Sequence, residues 1–294
     1  MSTTVLKVFR GGSPTGGLRG RLGPAKQLWF DGVVVGLVVL LVLLAAFGGL
    51  LAPNDPFLVD LGKAFIPPGP QHLLGTDESG RDVLSRLMTG AGTTLLSALV
   101  IALSAGVIGV IIAALASLAG GWLDEAVMRL CDIVLAIPAL ILALGIAMAL
   151  GPSLQSAIIA LIVAMWPGTT RIVRSSMRKN MEEPYVEAAR SQGASKWNVV
   201  FRHVIPNSLD VAIVDTAFSI GGITLILASL SFIGVGAQPP SPEWGAMAAD
   251  GRSYVLTSWW ITVAPGLAIM VAAVAFGLLG EVLQARFNPS QGRR

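Results

Sequence analysis

Few residues of this 294-residue chain are of types that could do covalent or redox chemistry, and none is spaced for it. One cysteine, Cys131, excludes an internal disulfide, and His72 and His203 lie too far apart in sequence to suggest a zinc or catalytic cluster. There is no G-x-x-x-x-G-K-[ST] stretch, and the single Gly-Lys pair, Gly62-Lys63, is followed by Ala64. Asp132 and Asp215 read as sitting at the cytoplasmic ends of helices, not in a chain of buried acids suited to proton coupling. No catalytic residue and no metal site is therefore expected. What stands out instead is a charged interval, residues 171–210, in an otherwise apolar chain.

Inside that interval, Tyr185, Ala188 and Ala189 recur at helical spacing between residues 181 and 192, with Glu182, Glu183, Glu187 and Arg190 on other faces. Pro184 falls in the first turn, where a missing N–H is tolerated. Gly193 can take the left-handed conformation that ends a helix, and Ser195 is placed to cap the next one. Trp197, Val200 and Phe201 form an apolar side of that second helix, which Pro206 is expected to stop. The pattern is a helix-turn-helix; by itself it fits a docking element and a plain linker between two membrane spans equally well.

The elements that must position it are membrane helices. The chain is 54% hydrophobic and 13% charged, with a mean hydropathy of +0.74, against about 25% charged residues in a soluble domain. A span needs roughly 20 apolar residues. The expected order is a tail at 1–30, a first span at 31–53, and an external segment at 54–93. Five further spans follow, at 94–119, 130–150, 154–169, 211–235 and 258–280. The turn Gly151-Pro152-Ser153 divides the third from the fourth. Residues 170–210 form the loop between the fourth and fifth spans, 236–257 the loop before the sixth, and 282–294 a closing tail. The fold class is all-α membrane protein with six transmembrane helices.

Orientation follows from Lys and Arg. Lys7, Arg10, Arg19, Arg21, Lys26, Arg129, Arg171, Arg174, Arg178, Lys179, Arg190, Lys196, Arg202, Arg286, Arg293 and Arg294 share one side, whereas only Lys63, Arg81, Arg86 and Arg252 lie on the other. The positive-inside bias puts both termini and residues 170–210 in the cytoplasm. The apolar run of the first span lacks a small-x-small cleavage pattern at its end and reads as a retained anchor. The net charge of +3 gives no reason to expect a nucleic-acid partner.

Residue identities sharpen the reading. Glu187-Ala188-Ala189, Gly193 after three more residues, and Pro206 about a dozen further on resemble the EAA loop of ATP-binding-cassette importer permeases, which docks on the ATPase subunit. Residues 75–87, from Gly75-Thr76-Asp77 to Arg86-Leu87, and residues 236–245 with Ala249-Asp250-Gly251-Arg252 are similar to the C-type permeases of dipeptide, oligopeptide and nickel importers. Asp124-Glu125, Met128-Arg129 and Asp132-Ile133 before Pro138 fit as well. The chain departs from the pattern at His203, where an aliphatic residue is usual, and at Ile205-Pro206, where Leu-Pro is.

The resemblance covers roughly residues 30–290 and implies a type I importer permease: one N-terminal helix plus a five-helix core, in a bacterial plasma membrane. It implies coupling through Tyr185, Glu187, Ala188, Ala189, Gly193, Ala194, Ser195 and Pro206. Implied partners are a B-type permease forming a heterodimer, two ATPases that carry ATP and Mg, an extracytoplasmic binding protein, and lipid. No cofactor is implied on this chain itself. The solute implied is a dipeptide or oligopeptide, with nickel chelates or glutathione as alternatives.

Two features keep competing interpretations. Residues 76–88 carry Val83, Leu84, Leu87 and Met88 on one stripe, as in a helix lying at the external interface; alternatively Asp77, Arg81 and Asp82 contact a binding protein. Pro138, Gly221, Gly222 and Pro265 are candidate hinge or close-packing positions, although Gly and Pro are common in membrane helices generally. An ion-coupled secondary transporter would carry an inverted repeat and intramembrane ions, and neither is evident. A membrane-anchored scaffold would use residues 171–210 to hold a partner without moving solute.

Overall fold

Residues 24–287 are described by a computed structural model of the chain. The basic residues Lys7, Arg10, Arg19, Arg21, Arg293 and Arg294 that weigh in the orientation lie outside the described residues, as do most of the two tails. Among the described residues every regular element is helical. Five helices are long and apolar enough to cross a membrane, and a bent pair makes up to six.

Helix α1 (Pro24–Leu51) lies at the edge of the bundle. The apolar stripe Val34, Val38 and Leu41 is buried, with Asp31 one turn before it, at the spacing of one helical face. Helix α2 (Val83–Ala119) runs unbroken for 37 residues, about 55 Å at 1.5 Å per residue, well beyond a hydrocarbon layer of about 30 Å. This corrects the expectation of a separate interfacial helix before a span starting at residue 94. Residues 76–82 are instead a tight turn closed by a bridge between Thr76 and Asp82. The stripe of Val83 and Leu87 is the first turn of α2 itself.

Helices α3 (Gly121–Leu135) and α4 (Ala139–Leu150) meet at 87°. Pro138 lacks an N–H, crowds the preceding turn and drives Ile137 out of helical conformation. The result is a corner rather than a kink within one span. Helix α5 (Leu154–Met181) does not end at residue 169 but continues through Arg171, Arg174 and Arg178, because a charge ends an apolar run without breaking a helix. Its buried face of Ala157, Ala160 and Leu161 packs with Ala98, Ile101 and Ala102 of α2 in one core. Small side chains bring these backbones close.

Beyond α6 (Pro184–Ser191) and α7 (Lys196–Val199), a single π turn, Val200–Val204, leads into α8 (Ile205–Ile233) without interruption. Pro206 thus does not stop the chain. The π register, in which the Ile205 N–H donates to the Val200 carbonyl, accommodates a residue that has no N–H to offer. Helix α9 (Trp244–Asp250) folds back over α2 and α8, and α10 (Trp260–Phe287) closes the bundle.

Of the candidate hinge residues, Gly221 is a close contact: a Cβ there would lie 2.6 Å from the Ala273 carbonyl of α10. Gly222 meets nothing within 4 Å and so is not a packing glycine within this chain. Pro265 is buried inside an unbroken α10.

Candidate functional site

The charged interval folds as a rigid elbow. Pro184 opens α6 at its first turn, and Glu187 stands in that same turn, where an anion suits the helix dipole. At the other end Gly193 has φ +85°. Its N–H donates to the Arg190 carbonyl at 2.9 Å, and that of Ala194 to the Ala189 carbonyl at 3.1 Å. This pair of bonds is the Schellman closure that a left-handed residue permits. Ser195 then accepts the Asn198 N–H on its hydroxyl at 3.3 Å and starts the next helix. The helix, stop and restart read from the residues are therefore all present.

What holds the elbow is a small apolar cluster. Val186, Val199 and Val204 are fully buried with Val173 and Met177 of α5 and Ala113 and Ala114 of α2. Asn180 Nδ2 donates to the Ser208 hydroxyl at 2.8 Å, joining the end of α5 to α8. The Lys196 ammonium donates to the Leu118 carbonyl at the end of α2. A force on the elbow thus acts on three long helices at once. Ion pairs of Arg174 with Asp124 and of Arg171 with Asp132 add α3 to the same body.

The outward face is the part available to a partner. Tyr185, Glu187, Ala188, Gly193, Ser195 and Pro206 are all exposed, while Ala189 and Ala194 pack inward. Trp197 and Phe201 do not share the burial of Val200, with which they form the expected apolar side. They are 59% and 55% exposed and stack on each other with centroids 5.5 Å apart. Period alone places them with Val200, yet Val199, Val200 and Val204 are the residues that go inward.

At the opposite end of the bundle, Asp77, Arg81 and Asp82 are only 3%, 6% and 3% exposed. This corrects their reading as a side-chain surface for a binding protein. Asp77 accepts the N–H groups of Ser79 and Arg81 at 2.9 and 3.0 Å and pairs with the guanidinium groups of Arg81 at 2.7 Å and Arg86 at 3.5 Å. Asp82 caps α2 through the Ser85 N–H at 2.8 Å and takes His72 Nδ1 at 2.8 Å. Burial acts to push the Asp82 carboxyl up, yet the Ser85 hydroxyl, His72 and the Ser85 amide hold it below its ordinary value. Burial, then the nearby Asp250 and Asp77 carboxylates, push Glu78 up. Burial likewise raises Asp250. These residues lock a loop onto the bundle.

Asp215 is also displaced from its expected place at a helix end. It stands eleven residues into α8, accepts the Thr169 hydroxyl at 2.7 Å, and lines a cavity of about 170 Å³ between α2, α4, α5 and α8. Among the described residues no group of three or more His, Cys, Asp or Glu side chains is arranged to hold a metal ion.

Residues 105–293 match the family described as binding-protein-dependent transport system inner membrane component. The chain is 41% identical over 256 residues to a probable D,D-dipeptide transport system permease of Escherichia coli, covering 87% of this chain and 86% of that protein. It is 36% identical to a glutathione transport system permease of Pectobacterium atrosepticum over 259 residues, covering 87% and 86%. Its backbone is similar to that of a chain in the inward-facing MetNI methionine transporter, with a TM-score of 0.57 at 19% identity, covering 68% of this chain and 95% of that one. That last likeness concerns the fold.

Proposed function

Because the chain belongs to the family of binding-protein-dependent transport system inner membrane components, we propose that it forms half of a pathway for dipeptides or oligopeptides handed over by an extracytoplasmic binding protein. It is a multi-pass permease subunit of an ATP-driven importer. In this reading the chain itself is not catalytic. Two ATPases hold the ATP and Mg, and a B-type permease supplies the other half of the pathway in a heterodimer. Both termini and the elbow face the cytoplasm of a bacterial plasma membrane, in keeping with the charge bias.

The observation that carries the proposal is the elbow. Its outward face of Tyr185, Glu187, Ala188 and Gly193 is exposed, while its inward face is bolted to α2, α5 and α8. ATP-driven closure of the two ATPases would press this face and tilt the three helices together. The exposed Trp197–Phe201 stack extends the same surface and suits a groove on the ATPase, since aromatic anchors dominate protein interfaces. The loop locked by Asp77 and Asp82 is the frame on the opposite side, and a binding protein would meet its outward backbone and flanks.

The glutathione permease among the relatives favours a second reading of the solute, a small peptide-like thiol carried by the same machinery. Co-purification of the chain with its attached subunits, followed by solute-stimulated ATP hydrolysis in proteoliposomes, tests both. Dipeptides should stimulate hydrolysis and accumulate inside. Replacing Glu187 or Gly193 should uncouple hydrolysis from transport, and retained coupling in both variants would count against the docking role. An ion-coupled carrier would instead move solute with no ATPase attached.

A further inference from the structure

The cavity beside Asp215 contains an intramembrane acid that the coupling scheme does not use. Its walls are largely alanine, leucine and isoleucine side chains, broken by Gly168, Thr169, Asp215 and Ser219. The Asp215 carboxylate receives one hydrogen bond, from the Thr169 hydroxyl at 2.7 Å. The Ser219 hydroxyl is turned to the Asp215 backbone carbonyl, at 2.8 Å. No ion pair among the described residues includes Asp215. Arg171, the next base along α5, is taken by Asp132 at 3.0 Å, and Arg174 is taken by Asp124.

A carboxylate at membrane depth without a counter-charge is costly and marks a site that expects one. Thr169 lies fifteen residues from Leu154, about 22 Å along α5 at 1.5 Å per residue, which places the cavity in the third of the layer nearest the elbow. Leu135 and Ala139, on either side of the Pro138 corner, form part of its wall. Movement at that corner therefore reshapes the cavity.

We infer that this cavity is a subsite for the primary ammonium group of the transported solute, with the Asp215 carboxylate as its acceptor and Thr169 orienting that carboxylate. The inference rests on the proposed role in solute transport. An ammonium offers three donors and a compact positive charge, which one carboxylate in an apolar pocket selects over a neutral or anionic group. A volume of about 170 Å³ equals five or six waters at about 30 Å³ each. That admits the amino end of a peptide.

The test uses the assembled complex carrying Cys131→Ser and Ser219→Cys. A cationic methanethiosulfonate should modify the new thiol about tenfold faster than an anionic one, the range expected when a charged cleft concentrates counter-ions. Asp215→Asn should abolish that preference and Asp215→Glu should keep it, which separates lost charge from lost fold. A free-amine dipeptide should slow the cationic reagent, and its N-acetylated form should not. Equal rates with Asp215 intact, or a preference that survives Asp215→Asn, would overturn the inference. So would protection by both dipeptides alike, or a site already filled by a basic side chain of the second permease, in which case neither reagent is favoured. A complex that moves no peptide yet keeps the charge preference would instead remove the peptide reading and leave the cation subsite standing.

Discussion

The backbone N–H of Trp244 donates to the hydroxyl of Thr94 at 3.0 Å, joining α9 to the first third of α2 across 150 residues. The same hydroxyl donates to Glu243 Oε1 at 3.3 Å. Thr94 and Glu243 are both 0% exposed, and Trp244 is 1% exposed. One small polar side chain therefore satisfies the start of α9 from both sides.

Thr94→Val keeps the shape and removes this junction. It strands a buried N–H, which costs about 1–3 kcal/mol, and takes one hydrogen bond from a buried carboxyl that keeps the Ala246 amide. The thermal unfolding midpoint of the purified complex should fall clearly, while Thr94→Ser should stay near the parent. Equal midpoints for Val and Ser would mean that the hydroxyl does not support α9.

Asp77 offers a second test. Asp77→Asn removes the carboxylate nearest to both buried guanidinium groups, leaving Arg81 with Asp250 at 4.0 Å, and breaking a buried pair from one side costs about 3–5 kcal/mol. Limited proteolysis within residues 54–82 should become fast. The double variant Asp77→Asn with Arg81→Met should lose less than the two single losses added together, as expected of groups in contact.

Gly193→Ala tests the elbow. At φ +85° a Cβ adds about 1–2 kcal/mol of backbone strain, but it meets no atom within 4 Å. The defect should thus be one of conformation, with expression and core packing unchanged and ATP hydrolysis uncoupled from transport. Gly193→Asn should be milder, since Asn tolerates the left-handed region.

Trp197→Ala and Phe201→Ala should leave unfolding unchanged, because both rings are more than half exposed. Retention of the ATPases during purification should drop. Loss of stability with full ATPase retention would place these rings against lipid instead.

The loop locked by Asp82 should respond to pH in two stages. Asp82 is held below its ordinary 3.8 in the fold, so its contribution is present above that value and disappears as pH falls through the lower folded one. Glu78 and Asp250 are raised by burial, so the folded state holds protons that the unfolded state releases above 4.5 and 3.8. Their contribution therefore declines as pH rises through the folded values. Proteolysis of residues 54–82 should be slowest in mildly acidic buffer and accelerate below pH 3.8, and Asp82→Asn should remove the acid limb alone.

The features legible in the residues are those that depend on a few neighbours in the chain. Apolar runs of some twenty residues announce the spans, Pro184 opens a helix, and Gly193 with Ser195 closes one and caps the next. Each is a matter of local backbone geometry or of transfer from water to lipid. The fate of polar side chains depends on partners far along the chain. Asp77, Arg81 and Asp82 look like surface charges until the loop folds them onto Arg86 and His72. Asp215 looks like a helix-end acid until Thr169, 46 residues away, sets it against a cavity. Trp197 and Phe201 share an apolar side with Val200 in the residue pattern, yet Val199 and Val204 take the inward contacts with α2 and α5. Hydropathy and turn chemistry are short-range, and the sequence by itself determined them. Burial and charge pairing are collective, and only the packed helices decided those.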